Sequence, residues 1–167
     1  MLSALAAELK QNKPFASLKE EAALSIARTA AVLDHQVSQA LKAHALTPSQ
    51  YNVLRILRGA GAEGLCRNEV GARLVTQVPD VTRLLDRMED SGLISRQRGS
   101  EDRRYVTTRI TRKGLDLVDK LDKPVRDLLQ ALLGHVSEKG LRAVVDGLAE
   151  IRLKPDFAAA QIRRGRL

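Results

Sequence analysis

The sequence predicts a mainly α-helical fold that carries one small β-hairpin. Three observations predict it. Aromatic residues make up 2% of a chain that is 44% hydrophobic, and Trp is absent. The core must therefore be Leu, Val, Ile and Ala, which suits helix-on-helix packing. Apolar residues recur at spacings of three and four along most of the chain, the helical rhythm. One stretch breaks it: Leu93-Ile94-Ser95-Arg96 and Tyr105-Val106-Thr107-Thr108-Arg109-Ile110 flank an arginine-rich loop containing Gly99. The second of these segments is rich in β-branched residues, and both read as short strands.

The elements follow in order. Leu2, Leu5, Ala6 and Leu9 share one helical face, so a short helix should end before Pro14. Ser17 opens a longer one. Ser17 and Glu20 have capping-box spacing, in which the hydroxyl accepts a backbone N–H from the third helical residue and the Glu reaches back. Leu24, Ala27, Ala31, Ser38 and Leu41 continue the stripe towards His44. In Leu46-Thr47-Pro48-Ser49-Gln50-Tyr51, Thr47 is an N-cap, Pro48 takes the first helical position and Gln50 completes a capping box. Leu46 and Tyr51 are placed to staple that turn from outside. The helix carries Val53, Leu54 and Leu57 and is expected to stop at Gly59. After a loop of small residues, Ala60 to Gly64, a short helix runs from about Arg67 to Leu74 with Val70 and Leu74 turned inward.

From Thr76 the pattern opens another helix. Val81, Leu84, Leu85 and Met88 lie at i, i+3, i+4 and i+7 and form its buried face, which leaves Thr82, Arg83, Asp86 and Arg87 outside. A turn at Ser91-Gly92 leads into the hairpin. Thr111 can cap a last long helix, where Leu115, Val118, Leu121, Val125, Leu128 and Leu132 make a near-heptad seam that Pro124 should bend. Ser137 starts a final helix with Leu141, Val144, Val145, Leu148 and Ile151 facing inward. A basic tail with Arg163, Arg164 and Arg166 follows Lys154.

The 167 residues divide into N-terminal helices over 1–45, a compact middle over 46–113, and C-terminal helices with the tail over 114–167. The middle does not need seams as long as those beside it. Pairing with the same helices of a second copy would bury them and make a two-fold dimer; one large monomeric bundle is the competing arrangement. Cys66 stands alone, so an internal disulfide is excluded and a reducing compartment fits. The start, MLSALAAELKQNK, has Glu8 and no long apolar core, a poor signal peptide. No apolar run approaches the ~20 residues of a membrane span. A soluble, cytoplasmic protein with no membrane partner is expected. His35, His44 and His135 lack ligand spacing, so neither metal nor cofactor is predicted. Glu20 and Glu21 are adjacent and point apart. The glycines at 59, 61 and 64 follow no strand and precede no Gly-Lys-Ser/Thr. With no nucleophile elbow either, the sequence argues against an enzyme.

The net charge is +8 and the pI about 10.1, a balance that favours a polyanionic partner, nucleic acid first. Charge alone fits a solvated basic face equally well. Its distribution says more. Between Ile94 and Lys113 seven basic residues, Arg96, Arg98, Arg103, Arg104, Arg109, Arg112 and Lys113, are opposed only by Glu101 and Asp102, a local balance of +5. Arg is the side chain suited to narrow minor grooves and to bidentate phosphate contacts. Asp102 is placed to pin Arg104 by paired hydrogen bonds and so stiffen the hairpin; merely closing the hairpin turn is a compatible role. Two helices joined by a tight turn, the second presenting polar residues, make a helix-turn-helix whose second helix fits the major groove of double-stranded DNA. Gln77, Thr82, Arg83 and Arg87 would lie on it. Gln pairs with adenine, and Arg with guanine or phosphate. Asp80 would repel phosphates, so it is expected to orient Arg83 or to accept from a cytosine amino group. Without their context, Arg83, Asp86 and Arg87 are equally readable as solvated helix charges.

The runs LTPSQYNVLRIL, VTRLLDRMEDSGLISR and EDRRYVTTRITRKG resemble the MarR family of winged-helix transcription regulators. The resemblance covers Leu46 to Gly114, with Asp102-x-Arg104 and Ile110-Thr111-x-x-Gly114 as its most specific marks. It implies a winged helix-turn-helix between long dimerisation helices. It implies Thr82 and Arg83 in the major groove and Arg103 or Arg104 in the minor groove. With Gln77, Arg87, Arg98 and Asp102 these make the expected DNA-binding set. It implies a homodimer on a pseudo-palindromic operator, commonly a repressor released by a small anionic or phenolic ligand. Such an effector would sit where the first long helix, the Tyr51 helix and the last long helix meet, near His35, Tyr51 and Arg55. Val78-Pro79-Asp80 departs from the small hydroxyl residues frequent in the family, so base preference does not transfer. Cys66 lies outside the first long helix, where the peroxide-sensing members carry their reactive thiol. An architectural or protein-interaction module without ligand control is the alternative.

Overall fold

The computed structural model of the chain describes residues 3–98 and 106–153. The basic tail and the hairpin tip, including Gly99, therefore lie outside the described residues. Seven helices are described: α1 (Ala4–Glu8), α2 (Leu18–Lys42), α3 (Pro48–Ala60), α4 (Arg67–Arg73), α5 (Val81–Asp90), α6 (Arg112–Leu133) and α7 (Glu138–Arg152). They accompany three strands, β1 (Leu65–Cys66), β2 (Ile94–Arg98) and β3 (Val106–Ile110). None of these helices is long and apolar enough to cross a membrane. Contacts divide the chain into two units, Met1–Leu128 and Leu129–Leu167.

In the first unit the helix starts are locally encoded. Ser17 Oγ accepts the Glu20 N–H at 3.2 Å. The Glu20 carboxylate does not close the box on Ser17; it reaches one residue further and accepts the Ala16 N–H at 2.7 Å. At α3 the box is complete: Thr47 Oγ1 accepts the Gln50 N–H at 3.3 Å, and Gln50 Oε1 accepts the Thr47 N–H at 2.9 Å. Leu46 and Tyr51 are both buried beside this cap. The helix runs past Gly59 and ends at Gly61, where φ is +66°. A left-handed residue, not merely a glycine, is what stops it.

The sheet has three strands in the order β1-β3-β2, all antiparallel. The third strand corrects the expected two-stranded hairpin. Two residues, Leu65 and Cys66, are too few to show an alternation, and they pair with Thr108 and Thr107. Gly64 permits this approach: at φ +69°, a Cβ there would stand 2.5 Å from the Thr108 carbonyl. The central strand buries Thr108 completely.

The core joins Leu41 of α2, Leu46, four residues of α3 (Tyr51, Val53, Leu54, Leu57), Val70, the inner face of α5, Leu93 and Ile94, and Val118, Leu121 and Val125 of α6. Gly114 lets α6 into it, since a Cβ there would fall 2.2 Å from the Leu93 carbonyl and 3.2 Å from Leu54. Thr111 orders the same junction. Its Oγ1 accepts the Gly114 N–H at 3.1 Å, the expected cap, and donates to the Gly92 carbonyl at 2.7 Å. Arg58 of α3 clamps α6 through Asp119 at 2.8 Å and both oxygens of Asp122 at 2.8 and 3.0 Å. That pairing holds the Asp122 carboxyl below its ordinary range. Pro124 sits inside α6 without ending it.

In the second unit, Ser137 caps α7 by accepting the Gly140 N–H at 3.2 Å. No residue of α7 is buried. Leu141 and Leu148 are half-buried, whereas Val144, Val145 and Ile151 are 55%, 62% and 46% exposed. These residues, expected to face inward, are thus largely exposed. α2 is similar, with Leu18, Leu24, Ile26 and Val32 exposed.

Candidate nucleic-acid interface

The polar face of α5 is the centre of the site. Leu84, Leu85 and Met88 anchor the helix in the core, and this turns Thr82, Arg83 and Arg87 to the outside. The helix starts at Val81, five residues later than the expected Thr76. Proline is the reason: the residue before it is disfavoured in the α region, so Val78-Pro79 stays outside the helix. Gln77 is therefore exposed in the linker between α4 and α5 and not on the recognition helix. The linker is pinned by Asn52 of α3, whose Oδ1 accepts the Val75 N–H at 2.9 Å.

Asp80 has a task in the fold that the spacing did not suggest. Its carboxylate accepts the Arg83 backbone N–H at 2.9 Å and caps α5. A carboxylate there also complements the positive end of the helix. The Arg83 side chain is exposed, and Arg87 Nε donates to the Arg83 carbonyl at 3.2 Å.

Two residues the sequence reading passed over belong beside these. Arg67, first in α4, donates through Nη1 to Thr82 Oγ1 at 3.2 Å and through Nε and Nη2 to Asn68 at 3.3 and 3.2 Å. Two open hollows of about 460 and 580 Å³ adjoin this trio, both lined by Arg67, Asn68 and Thr82. The available signal was position: the first turn of the first helix in a helix-turn-helix lies next to the start of the second.

The arginine-rich segment divides by role. Arg98 is exposed at the end of β2. Asp102, Arg103 and Arg104 lie outside the described residues. Arg96 is turned back on α5, meeting Asp86 and Glu89 each at 2.6 Å. Hydrogen bonding to Glu89, helped by Asp86, raises its pKa against the opposing effect of burial. Arg109 donates to the Ala62 carbonyl at 2.7 Å, Lys113 to the Ser91 carbonyl at 2.8 Å, and Arg112 pairs with Asp116 at 3.0 Å. Much of the basic charge counted in this stretch is thus engaged in the fold.

Of the expected effector residues, Tyr51 and Arg55 come together, with the guanidinium 5.9 Å from the ring centroid. Burial raises the Tyr51 pKa, partly offset by Arg55. His35 is exposed on α2. Cys66 is half-buried at the start of α4, where its N–H donates to Glu69 at 2.7 Å and lowers that carboxyl's pKa. Among the described residues no group of three His, Cys, Asp or Glu side chains could hold a metal ion.

Comparison with known proteins gives this geometry a family context. The MarR family model matches residues 46–106. The HTH-type transcriptional regulator TtmR of Methylorubrum extorquens is 38% identical over 112 residues, 65% of this chain and 54% of that protein. The chain spans about half the length of the curated relatives it matches. A crystal structure of a MarR transcription factor from Planctomyces limnophilus is 36% identical, with a TM-score of 0.64 over 82% of this chain and 98% of that one. The fold is also that of BpsR from Bordetella bronchiseptica, whose DNA binding is regulated by 6-hydroxynicotinic acid (20% identity, TM-score 0.73, covering 84% of this chain and 99% of that one).

Proposed function

The chain belongs to the MarR family, and from that premise we propose that it is a homodimeric, DNA-binding transcriptional regulator acting as a repressor. Residues 46–113 form the DNA-binding domain, and residues 1–45 and 114–167 supply the dimer contacts. α5 enters the major groove, where Thr82 and Arg83 meet base edges and Arg87 holds the backbone. The wing carries Arg98, Arg103 and Arg104 to the minor groove, with Asp102 bracing Arg104. Gln77 contacts the flanking backbone from the linker. The dimer binds a pseudo-palindromic operator, because two-fold protein symmetry asks for two-fold DNA symmetry.

One observation carries this reading: α5 is anchored by Leu84, Leu85 and Met88 while Thr82, Arg83 and Arg87 stand clear on its other face. A small anionic or phenolic ligand releases the DNA by binding near His35, Tyr51 and Arg55. The paired Tyr51 ring and Arg55 guanidinium suit an aromatic anion, and BpsR offers a precedent for the ligand class.

The test is DNA selected from a random pool, followed by a salt titration and a screen of small aromatic acids and phenols. If each subunit neutralises ~4 phosphates, log K falls against log salt with a slope of about −7. Absence of DNA affinity at low salt overturns the reading in favour of a protein-interaction module. DNA affinity that no acid or phenol weakens removes the ligand from it.

A further inference from the structure

The geometry points to Arg96 as a positioning residue for DNA recognition, one that touches no DNA but locks α5 to the sheet and pairs with two carboxylates on the reading helix. This rests on the assignment of α5 to the major groove. Counted by itself, α5 is a poor partner for a polyanion. Val81–Asp90 holds Arg83 and Arg87 against Asp86, Glu89 and Asp90, one charge more negative than positive. Asp86 lies three residues from Arg83 and four from Thr82, so it shares their side of the helix. It is half-exposed, and unscreened it would oppose a phosphate backbone.

Arg96 answers both carboxylates from β2. Its Nη2 lies 2.6 Å from Asp86 Oδ1 and 2.6 Å from Glu89 Oε2. Its Nε donates to Glu89 Oε2 at 2.7 Å. Its backbone N–H donates to Glu89 Oε1 at 2.8 Å. Among the described residues β2 is an edge strand paired with β3, and Glu89 accepts the Arg96 N–H from the open side. The contact is therefore doubly anchored, side chain to side chain and side chain to backbone. Its side chain is one quarter exposed, so solvent screens it less than it screens the surrounding ion pairs.

Two consequences follow. The rotation of α5 is tied to the strand that leads into the wing, so groove and wing contacts share one rigid base. The charge of the reading helix is also brought to zero before Arg83 and Arg87 meet DNA. Nη2 meets both carboxylates while Nε adds a second bond to Glu89, a pair of fixed donors that a guanidinium has and an ammonium lacks.

The experiment measures affinity on a pool-selected operator, with thermal melting alongside, for three variants of the full chain. Arg96→Gln is expected to bind about tenfold or more weakly, with the salt slope of the wild type, since no phosphate contact is lost. Adding Asp86→Asn and Glu89→Gln to it is expected to recover most of that loss. Asp86→Asn with Glu89→Gln alone, which keeps Arg96 and its hydrogen-bond acceptors, is expected to bind as tightly as wild type or more so. That pair keeps the proposal testable if Arg96→Gln fails to fold. A slope shallower by about 2 for the Arg96→Gln dimer marks a direct phosphate contact and overturns the proposal. So does wild-type affinity in Arg96→Gln, a triple variant no better than the single one, or a weakened Asp86→Asn, Glu89→Gln pair. Wild-type protein that binds no DNA overturns the assignment of α5 as well, whereas the other failures leave that assignment standing.

Discussion

The middle of the chain and its terminal helices differ in how completely they satisfy themselves. Among the described residues from Leu46 to Gly114 most large apolar side chains are in the core or packed against it, and the helix starts carry side-chain caps at Thr47 and Asp80. In α2 and α7 the caps are equally good, but Leu18, Val32, Val144, Val145 and Ile151 remain exposed. Local hydrogen bonding thus specifies helices in both regions, while burial is finished only in the first. The difference is one of coverage: the middle has its apolar side chains in the core, whereas these residues of α2 and α7 are exposed. An isolated apolar residue on a surface means little; several on one helix are what the proposed dimer would cover.

The largest effect should come from breaking the finished region. Leu54→Ala removes a fully buried side chain from the centre of the core and should cost about 2–5 kcal/mol by chemical denaturation, at any protein concentration. The unfinished region should respond in the opposite way. Val144→Asp with Val145→Asp should leave the fold of the single chain intact, but weaken the dimer by ~10-fold or more in sedimentation, because a charge is driven into a contact that offers it no partner. Wild-type melting should accordingly rise with protein concentration and that of the double variant should not. A smaller effect separates capping from base reading. Asp80→Ala should lose about 1 kcal/mol, whereas Asp80→Asn keeps the cap and most of the stability. A changed base preference in Asp80→Asn would add a cytosine-reading role to the cap.

The smallest effect concerns the Arg58 clamp. Its carboxylates are 61% and 40% exposed at Asp119 and Asp122, so Asp122→Asn should cost about 1 kcal/mol or less at neutral pH. Its pH dependence is directional. The Asp122 pKa is lower in the folded chain than in the unfolded one, chiefly through its hydrogen bonds to Arg58. The stabilisation is thus present above the ordinary carboxylate pKa and is lost as pH falls through the lower, folded value. Acid unfolding curves of wild type and variant should converge at the acid end.

The capping motifs were legible because their physics is local: Thr47 and Gln50 are three residues apart and need nothing else. The inner face of α5 was legible because a helix repeats its own period. Its start was misplaced although the signal was there, in the proline at 79 and the capping aspartate at 80. β1 was not legible, since two residues carry no alternation. Arg96 was legible as a charge but not as a clamp, because its partners lie across the Ser91-Gly92 turn and only the packing of α5 on β2 brings them within reach. Arg67 was hidden for the same reason, with Thr82 fifteen residues away.

By itself the sequence determined the helices, their caps, the inner face of α5 and the concentration of arginine next to it, all of them properties of neighbours within a turn or a strand. The tertiary structure decided which of those arginines face outward, which acids Arg96 pairs with, and where a third strand joins the sheet. Charge adds up along a chain, but its direction and its pairing depend on contacts between residues far apart in sequence, and these exist only once the core has closed.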